Sequence, residues 1–364
     1  MNRKTIAFVI QSLNSGGAER VVSILTGELV KKYHVVIIMN ARSDPFYPIH
    51  PEVKIVHCLE EVAPSSNFLQ AIRQNYRLVK MMWKHLNKNK VDVCIAFITS
   101  TNILAIIASR LAKIPIIISE RNYPGIEDLQ VPALWKWLRR LTYPMANMLV
   151  VQTQAIKEYY LPKIKEEKIA VIPNPINPDF NSTVAGGRQN VVLNVGRLAD
   201  QKAQDLLIRA FAQLKPSGWK LHIVGEGNNR SRLEELIAEL KMNDCIELKG
   251  KSTDIERYYL GSKIFAFTSI FEGFPNALLE AMHFGLACVS TNCPTGPSDL
   301  IEDGVNGYLI PVNDQAALEK KLQQLMLNEK ERIRFGLAAR KSADRFRVEK
   351  VVKEWESLLT RVSG

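Results

Sequence analysis

The stretch IFAFTSIFEGFPNALLEAM, Ile264–Met282, runs from a short apolar segment through a glycine and a proline into a helix-forming segment. Ile264–Thr268 reads as a strand, Gly273 as a turn, and Pro275 as the first helical residue, where its missing N–H is harmless. Glu280 follows Asn276 by four residues, so both lie on one helix face near its start, and Glu272 reaches the same mouth from the preceding loop. A strand passing through a turn into a helix is the building unit of a parallel sheet, and such sheets bind ligands at the carboxyl ends of their strands. Backbone N–H groups of residues 274–276 would face an anion while two carboxylates accept hydrogen bonds from hydroxyls, a combination that suits a sugar nucleotide. A salt-bridged helix start would explain Glu280 alone, but not the whole Glu-Gly-Phe-Pro run.

The same unit recurs on either side. Val191–Val195, Lys220–Val224, Cys245–Leu248, Ala287–Ser290 and Tyr308–Ile310 read as further strands, with helices at Gln204–Leu214, Arg230–Leu240, Asn276–Phe284 and Gln315–Leu327. Earlier in the chain, Thr5–Ile10, Val35–Met39, Val91–Ile98, Ile114–Ser119, Met148–Gln152 and Ile169–Ile172 form a first strand set, with helices at Ala18–Lys32 and Asn67–Asn87. Apolar strands alternating with helices predict an α/β class with two doubly wound domains. The expected division is an N-terminal domain over residues 1–175, a Pro- and Asn-rich linker over 176–190, a second domain over 191–345, and a terminal segment 346–364 whose helix returns to the first domain.

The chain has 364 residues, 46% of them hydrophobic and 23% charged, which excludes disordered and fibrous classes. Its most apolar stretch, Ile103–Ser119, is interrupted by Arg110, Lys113 and Pro115, and the N-terminus lacks a small-residue cleavage site, so a cytoplasmic protein without a leader is expected. Five scattered cysteines suggest neither a disulfide framework nor a zinc site. The net charge is +11 and is uneven: residues 1–180 hold 23 basic and 14 acidic side chains, while the rest hold 25 and 23. An anionic partner for the first half is implied, with nucleic acid, membrane and phosphorylated substrate all open.

Two further loops have suitable chemistry. Thr5–Ile10 leads into Ser15-Gly16-Gly17-Ala18-Glu19-Arg20, where paired glycines allow close backbone approach and a helix N-terminus favours negative charge. A tight strand–helix turn explains that loop equally well, and it is not the G-x-G-x-x-G of dinucleotide-binding proteins. After Val191–Val195, Gly196-Arg197 and Lys202 place two cations around the loop before the next helix, where a diphosphate would need charge-assisted donors.

Taken in order, Gly16-Gly17, Gly196-Arg197 with Lys202, His222-Ile223-Val224-Gly225-Glu226-Gly227, and the E-x(7)-E from Glu272 to Glu280 resemble the retaining glycosyltransferases of family 4 over essentially the whole chain. The resemblance implies the GT-B fold, with two Rossmann-like domains facing a cleft that closes over the donor. It also implies that Arg197 and Lys202 hold a donor diphosphate, Glu280 the ribose hydroxyls and Glu272 the transferred sugar. Phe274, Pro275 and Asn276 would contact sugar and phosphate, Gly16, Gly17 and Gly196 would admit the diphosphate, and Gly250 and Lys251 would lie beside the base. Arg197, Lys202 and Glu272 are the expected catalytic groups, with no metal and no cofactor beyond the nucleotide-sugar donor.

One departure stands out: many relatives carry a His after the strand ending at Ser119, where this chain reads Glu120-Arg121-Asn122. These three are candidate acceptor or sugar contacts, with Arg121 supplying positive charge. Leu13-Asn14-Ser15-Gly16-Gly17-Ala18-Glu19-Arg20 is also similar to bacterial enzymes that extend polyprenyl-diphosphate-linked oligosaccharides, including N-acetylgalactosamine transferases. That implies a UDP-sugar donor, a lipid-linked acceptor, and a place in polysaccharide, O-antigen or lipopolysaccharide synthesis. A GDP-mannose-dependent enzyme of the same fold is the alternative within the family, and a nucleic-acid-binding protein using the basic half the alternative outside it, although no nucleic-acid motif is found. Ala71–Lys90 has six Lys/Arg, no acid, and Met81, Met82, Trp83 and Leu86; with Lys136-Trp137-Leu138-Arg139-Arg140 it could rest on the inner face of an anionic membrane or simply pack on the sheet.

Overall fold

The computed structural model describes residues 3–14, 16–62, 67–125, 131–180 and 187–363. The chain divides into two compact units, the first made of Met1–Pro175 with Val348–Gly364 and the second of Ile176–Arg347. The stretch 176–190, expected as a linker, therefore belongs to the second unit, where Ile176 is buried.

The first unit carries β1 (Thr5–Ile10), α1 (Gly17–Leu29), β2 (His34–Ala41), β3 (Lys54–Leu59), α2 (Phe68–Lys88), β4 (Val93–Phe97), α3 (Thr99–Ala112), β5 (Ile116–Ser119), α4 (Ala133–Thr142), β6 (Met148–Val151), α5 (Gln154–Tyr160) and β7 (Ile169–Val171). Its sheet has the order β3-β2-β1-β4-β5-β6-β7 with parallel pairing. The central strands are apolar without alternation because both faces are covered. Phe8 and Ile95 face α1, while Ala7 and Cys94 face the side of α2 and α3. The chain's last helix, Val348–Ser363, completes the α1 side: Val348, Val351, Val352, Trp355, Leu358 and Leu359 form one buried stripe at helical spacing. Trp355 is fully buried, its ring 6.2 Å from that of Phe97.

The second unit holds β8 (Gln189–Val195), α6 (Gln204–Leu214), β9 (Lys220–Val224), α7 (Arg230–Glu239), β10 (Ile246–Gly250), α8 (Glu256–Gly261), β11 (Ser262–Phe267), α9 (Asn276–His283), β12 (Ala287–Thr291), α10 (Pro297–Leu300), β13 (Tyr308–Ile310), α11 (Gln315–Leu327) and α12 (Glu329–Ala343). The sheet order is β10-β9-β8-β11-β12-β13. In each sheet the chain reverses direction of growth beside its first strand, between β1 and β4 and between β8 and β11, and these switch points are where open α/β sheets take ligands.

Four elements of the first unit, β3, α3, α4 and α5, were not named in the sequence reading, and two of them have a plain reason. β3 was not among the expected strands; it is an edge strand with only Cys58 fully buried, so its residues lack a buried-strand pattern. α3 lies inside the most apolar run and is buried nearly all round, which removes the amphipathic signature by which helices are found. Among the described residues, no helix is long and apolar enough to cross a membrane.

Candidate active site

The second unit's site begins with glycines that let strand ends touch. A Cβ on Gly225, whose φ is +150°, would stand 1.9 Å from the Gly196 carbonyl oxygen, and one on Gly227 2.2 Å from that of Leu198. Only glycine allows that approach. Hydrogen bonds hold the contact: Gly196 N–H donates to Val224 O, Leu198 N–H to Glu226 O, and Gly225 N–H to Gly250 O. The exits of β8, β9 and β10 are thus bound into one rigid rim.

On the other side of the switch point, the loop after β11 is tied to the loop after β8. Ile270 N–H donates to Gln201 O at 2.8 Å, Thr268 Oγ1 to Lys202 O at 2.8 Å, and Gln201 Nε2 to Phe271 O at 2.7 Å. These bonds bring the Lys202 ammonium onto the Glu272 carboxylate, with both side chains largely buried. Two residues expected to touch different parts of a donor therefore pair directly with each other. Thr295 Oγ1 donates to the Glu272 carbonyl and so fixes its backbone.

α9 starts at Asn276, as the expected helix Asn276–Phe284 does, but Pro275 stands at its cap and not in its first turn, with Gly296 packed on the proline ring. The expectation that N–H groups of residues 274–276 face an anion is corrected: Pro275 has none, and the Asn276 N–H donates to Phe274 O at 3.0 Å. The donors of the α9 N-terminus lie further into its first turn. Phe274 is buried in the core. Glu280 is also buried, and its Oε2 accepts a 2.9 Å hydrogen bond from the hydroxyl of fully buried Tyr259. Sequence reading missed Tyr259, which lies on α8 with no motif to mark it. Arg197 and Lys251 are exposed at this edge, and Gly250 has a φ of +72°.

In the first unit, Gly16 caps α1 with extended backbone that any residue could adopt. The nearest group is the end of the Glu19 side chain, whose carboxylate would lie 2.2 Å from a Cβ there and can swing aside. Desolvation raises the pKa of that half-buried carboxyl. An anion at Gly16 and exposed Gly17 would thus share the loop with an acid, a feature the glycine pair did not announce. Ser15 lies outside the described residues.

At the end of β5, Glu120 and Arg121 are buried and Asn122 is exposed. The Glu120 carboxylate accepts from Tyr143 OH at 2.7 Å, Tyr160 OH at 3.2 Å, Thr99 Oγ1 at 3.1 Å and the Arg121 N–H at 3.2 Å. Arg121 lies over the Phe97 ring, 4.8 Å from its centroid, and its Nη1 donates to Asn174 Oδ1 at 2.5 Å. Among the described residues its Nε and Nη2 have no hydrogen-bond partner, which is costly for a buried cation and marks a place where an acceptor fits. Burial pulls its pKa down to about 9, with Glu120 opposing, so it stays cationic near neutral pH. Beside it Ile98 holds a φ of +74°, a strained conformation for a β-branched residue, at the β1/β4 switch point.

Comparisons with known proteins agree with this geometry. Residues 176–342 match the family described as glycosyl transferases group 1, and residues 15–180 match glycosyltransferase family 4. Over 362 residues, 99% of both chains, the protein is 30% identical to a Campylobacter jejuni α-1,4-N-acetyl-D-galactosaminyltransferase acting on a GalNAc-containing diNAcBac-PP-undecaprenol. The chain belongs to glycosyltransferase family 4. This glycosyltransferase is also 30% identical, over 96% of its length and 97% of the relative's, to the C. jejuni N-acetylgalactosamine-N,N'-diacetylbacillosaminyl-diphospho-undecaprenol 4-α-N-acetylgalactosaminyltransferase. Among solved structures, Anabaena HepE in complex with UDP superposes with a TM-score of 0.81, covering 98% of this chain and 100% of that one at 20% identity, a likeness of fold. The two doubly wound sheets are those of the GT-B glycosyltransferases.

Proposed function

We propose that this glycosyltransferase moves a hexose or N-acetylhexosamine, with N-acetylgalactosamine first in line, from a UDP-sugar to a hydroxyl of a polyprenyl-diphosphate-linked oligosaccharide, with retention of anomeric configuration. The observation that carries the donor reading is the gathering of Lys202, Glu272 and Glu280 at one sheet edge behind a glycine-built rim. The names of the two Campylobacter relatives support the acceptor and sugar, and the UDP complex of HepE supports the base.

In this reading Arg197 and Lys202 meet the charge that develops on the departing diphosphate, together with the first turn of α9. Lys202 is held ready by Glu272, whose carboxylate also accepts from the transferred sugar. Glu280, held by Tyr259, takes the ribose hydroxyls, so the nucleoside is bound by a carboxylate that cannot swing away. The acceptor hydroxyl attacks on the leaving-group face and its proton passes to the departing phosphate oxygen, so no residue forms a covalent bond to sugar and no metal is invoked. Removing Arg197 or Lys202 lowers kcat by about 10²–10³-fold, as for other preorganised charge-stabilising donors.

The acceptor reading gives the first unit a membrane to meet. Met82 and Leu86 pack in the core, so they do not serve as lipid contacts. The N-terminal part of α2 does offer such contacts: Phe68, Leu69, Ile72 and Tyr76 are all exposed, beside Arg73 and Arg77. Peripheral binding to an anionic inner membrane face that weakens with salt is the expected behaviour.

The test is a thermal-shift panel with UDP, GDP, ADP and TDP, repeated with Glu280→Ala and Arg197→Ala. A nucleotide at 100 times its Kd stabilises by roughly 2.7 kcal/mol. A UDP shift lost in both variants supports the reading. A shift with GDP alone redirects it to mannose transfer, and no shift with any nucleotide overturns the donor site and turns attention to nucleic acid on the basic half.

A further inference from the structure

β5, β6 and β7 lie side by side with parallel pairing, so the segments that leave them stand together at one edge of the first sheet. Three polar side chains meet there: Arg121 just beyond β5, Gln152 just beyond β6 and Asn174 just beyond β7. All three are more than nine-tenths buried. Arg121 Nη1 and Gln152 Nε2 both donate to Asn174 Oδ1, at 2.5 and 2.7 Å.

That shared contact fixes the orientation of both amides. A guanidinium only donates, so the Asn174 atom it touches is the oxygen, and the Gln152 atom that joins it is the amide nitrogen. What remains is the Gln152 oxygen, an acceptor, and the Nε–Nη2 edge of Arg121, a planar pair of donors. Among the described residues neither has a hydrogen-bond partner.

Two donors and one acceptor, buried and held by a common oxygen, call for a ligand group that both accepts and donates. The charge of Arg121 is already opposed by its neighbour Glu120. A phosphate or carboxylate would bring a second negative charge into this buried edge and would offer the Gln152 oxygen no hydrogen. A neutral amide has both halves: its carbonyl accepts from the guanidinium edge and its N–H donates to Gln152.

We infer that Arg121 and Gln152 read the acetamido group of an N-acetylhexosamine substrate, with Gln152 setting the preference for that group over a hydroxyl. The inference rests on the proposed transferase reading and names the substrate group that the first unit selects. An acetamido group can stand on the donor sugar or on the terminal sugar of the acceptor, and the chemistry at this site is the same for both. Exchanging it for a hydroxyl withdraws atoms to which buried groups are matched, and such losses discriminate strongly.

The experiment measures kcat/KM for two substrate pairs, UDP-N-acetylgalactosamine against UDP-galactose, and citronellyl-diphosphate-linked N-acetylgalactosamine against its galactose counterpart. Wild type should favour the acetamido member of one pair by about 30-fold or more. Gln152→Met should cut that preference about tenfold, with the other pair within twofold and the UDP thermal shift unchanged. Gln152→Asn, which withdraws the same oxygen, takes its place if the methionine variant does not fold. The pair that responds tells whether donor or acceptor is read. A purely structural role would lower both members of a pair alike, so an unchanged preference in a folded variant overturns the site, as does a wild type indifferent to the acetamido group in both pairs; a trapped water then satisfies these atoms. Either result with the UDP shift intact leaves the donor reading standing. No UDP shift in wild type overturns the donor reading instead, and calorimetry with the two citronellyl diphosphates then decides the site by itself: equal affinities overturn it, and a preference for the acetamido sugar that Gln152→Met abolishes supports it.

Discussion

The carboxyl edges of the two sheets share a topology and differ in how their buried charged groups are satisfied. In the second unit, glycines press strand exits together, and the charged groups are paired: Lys202 with Glu272, Glu280 with Tyr259. In the first unit, the edge holds buried polar side chains with atoms left over. Among the described residues, Arg121 Nε and Nη2, Gln152 Oε1, Asn40 Oδ1 and Ser119 Oγ lack hydrogen-bond partners there; the second edge leaves only amide oxygens over, Asn194 Oδ1 and Gln204 Oε1, and no cation. A rim whose groups are already fixed suits one constant ligand, the nucleotide. An edge with spare donors and acceptors, stabilised less by its own bonds, is organised around groups that a substrate brings.

The comparison breaks first at the glycines. Gly225→Ala and Gly227→Ala drive a Cβ into the carbonyls of Gly196 and Leu198, and at Gly225 the backbone φ of +150° adds strain. Each should destabilise the protein by about 3 kcal/mol or more, read as a fall in Tm and loss of any UDP-induced shift. If either variant unfolds like wild type, the rim is not rigid and the contrast between the two edges fails.

A smaller effect on stability with a larger one on turnover is expected at Arg121. Arg121→Met combined with Glu120→Gln removes both buried charges at once, avoiding a lone carboxylate in the core. Stability should change by no more than about 1 kcal/mol, or rise, because replacing buried charges by neutral groups of similar size is often neutral or stabilising. Turnover should fall by about 10²-fold, as when a preorganised cation is removed from a reaction site. Unfolding and single-turnover assays of the same preparation separate the two. A large drop in Tm with activity per folded molecule retained would assign the pair to folding alone.

How much of this was legible in the chain depends on what each residue touches. The strand frame was readable because apolar β-branched runs such as Val35–Met39 and Lys220–Val224 are set by local composition, and the last helix was readable from its one-sided apolar spacing. The Gly225–Gly227 pair was visible as a motif, but its reason, contact with carbonyls about 30 residues earlier, is set by pairing of β8 with β9. The Lys202–Glu272 pair and the Tyr259–Glu280 bond could not be read, because each joins residues from separate elements across a folded surface. Cys58, Cys94, Cys288 and Cys293 are buried thiols whose pKa burial pushes up, leaving them poor nucleophiles.

Tyr259→Phe sharpens the contrast at the donor carboxylate. The ring, stacked 5.2 Å from Phe284, stays in place, and only the hydroxyl that donates to Glu280 is lost. Donor KM should rise about 5–10-fold, the equivalent of about 1–1.4 kcal/mol and so of one ordinary hydrogen bond, with kcat held within twofold. A fall in kcat without change in KM would place Glu280 at the reacting sugar and not at the ribose.

The smallest effect is expected at Gly196, although it sits in the same motif as the residues with the largest. A Cβ there would meet only the Lys202 side chain, at 3.5 Å from Cε and 3.6 Å from Cδ, an ordinary van der Waals distance. Its φ is not in the left-handed region, so alanine adds no backbone strain. Gly196→Ala should therefore fold with a Tm within about 2 °C of wild type, since a surface change free of such features stays within about 0.5 kcal/mol. What it alters is the room around Lys202: an added methyl favours the ammonium's position on Glu272, and UDP affinity should fall two- to threefold through a ligand that must share that ammonium. Titration calorimetry with UDP reads this directly. An unchanged Kd would show that the Lys202–Glu272 pair does not rearrange when the diphosphate binds, while a loss beyond tenfold would show that Gly196 itself borders the phosphates, and that the second unit's rim depends on open space as well as on rigidity.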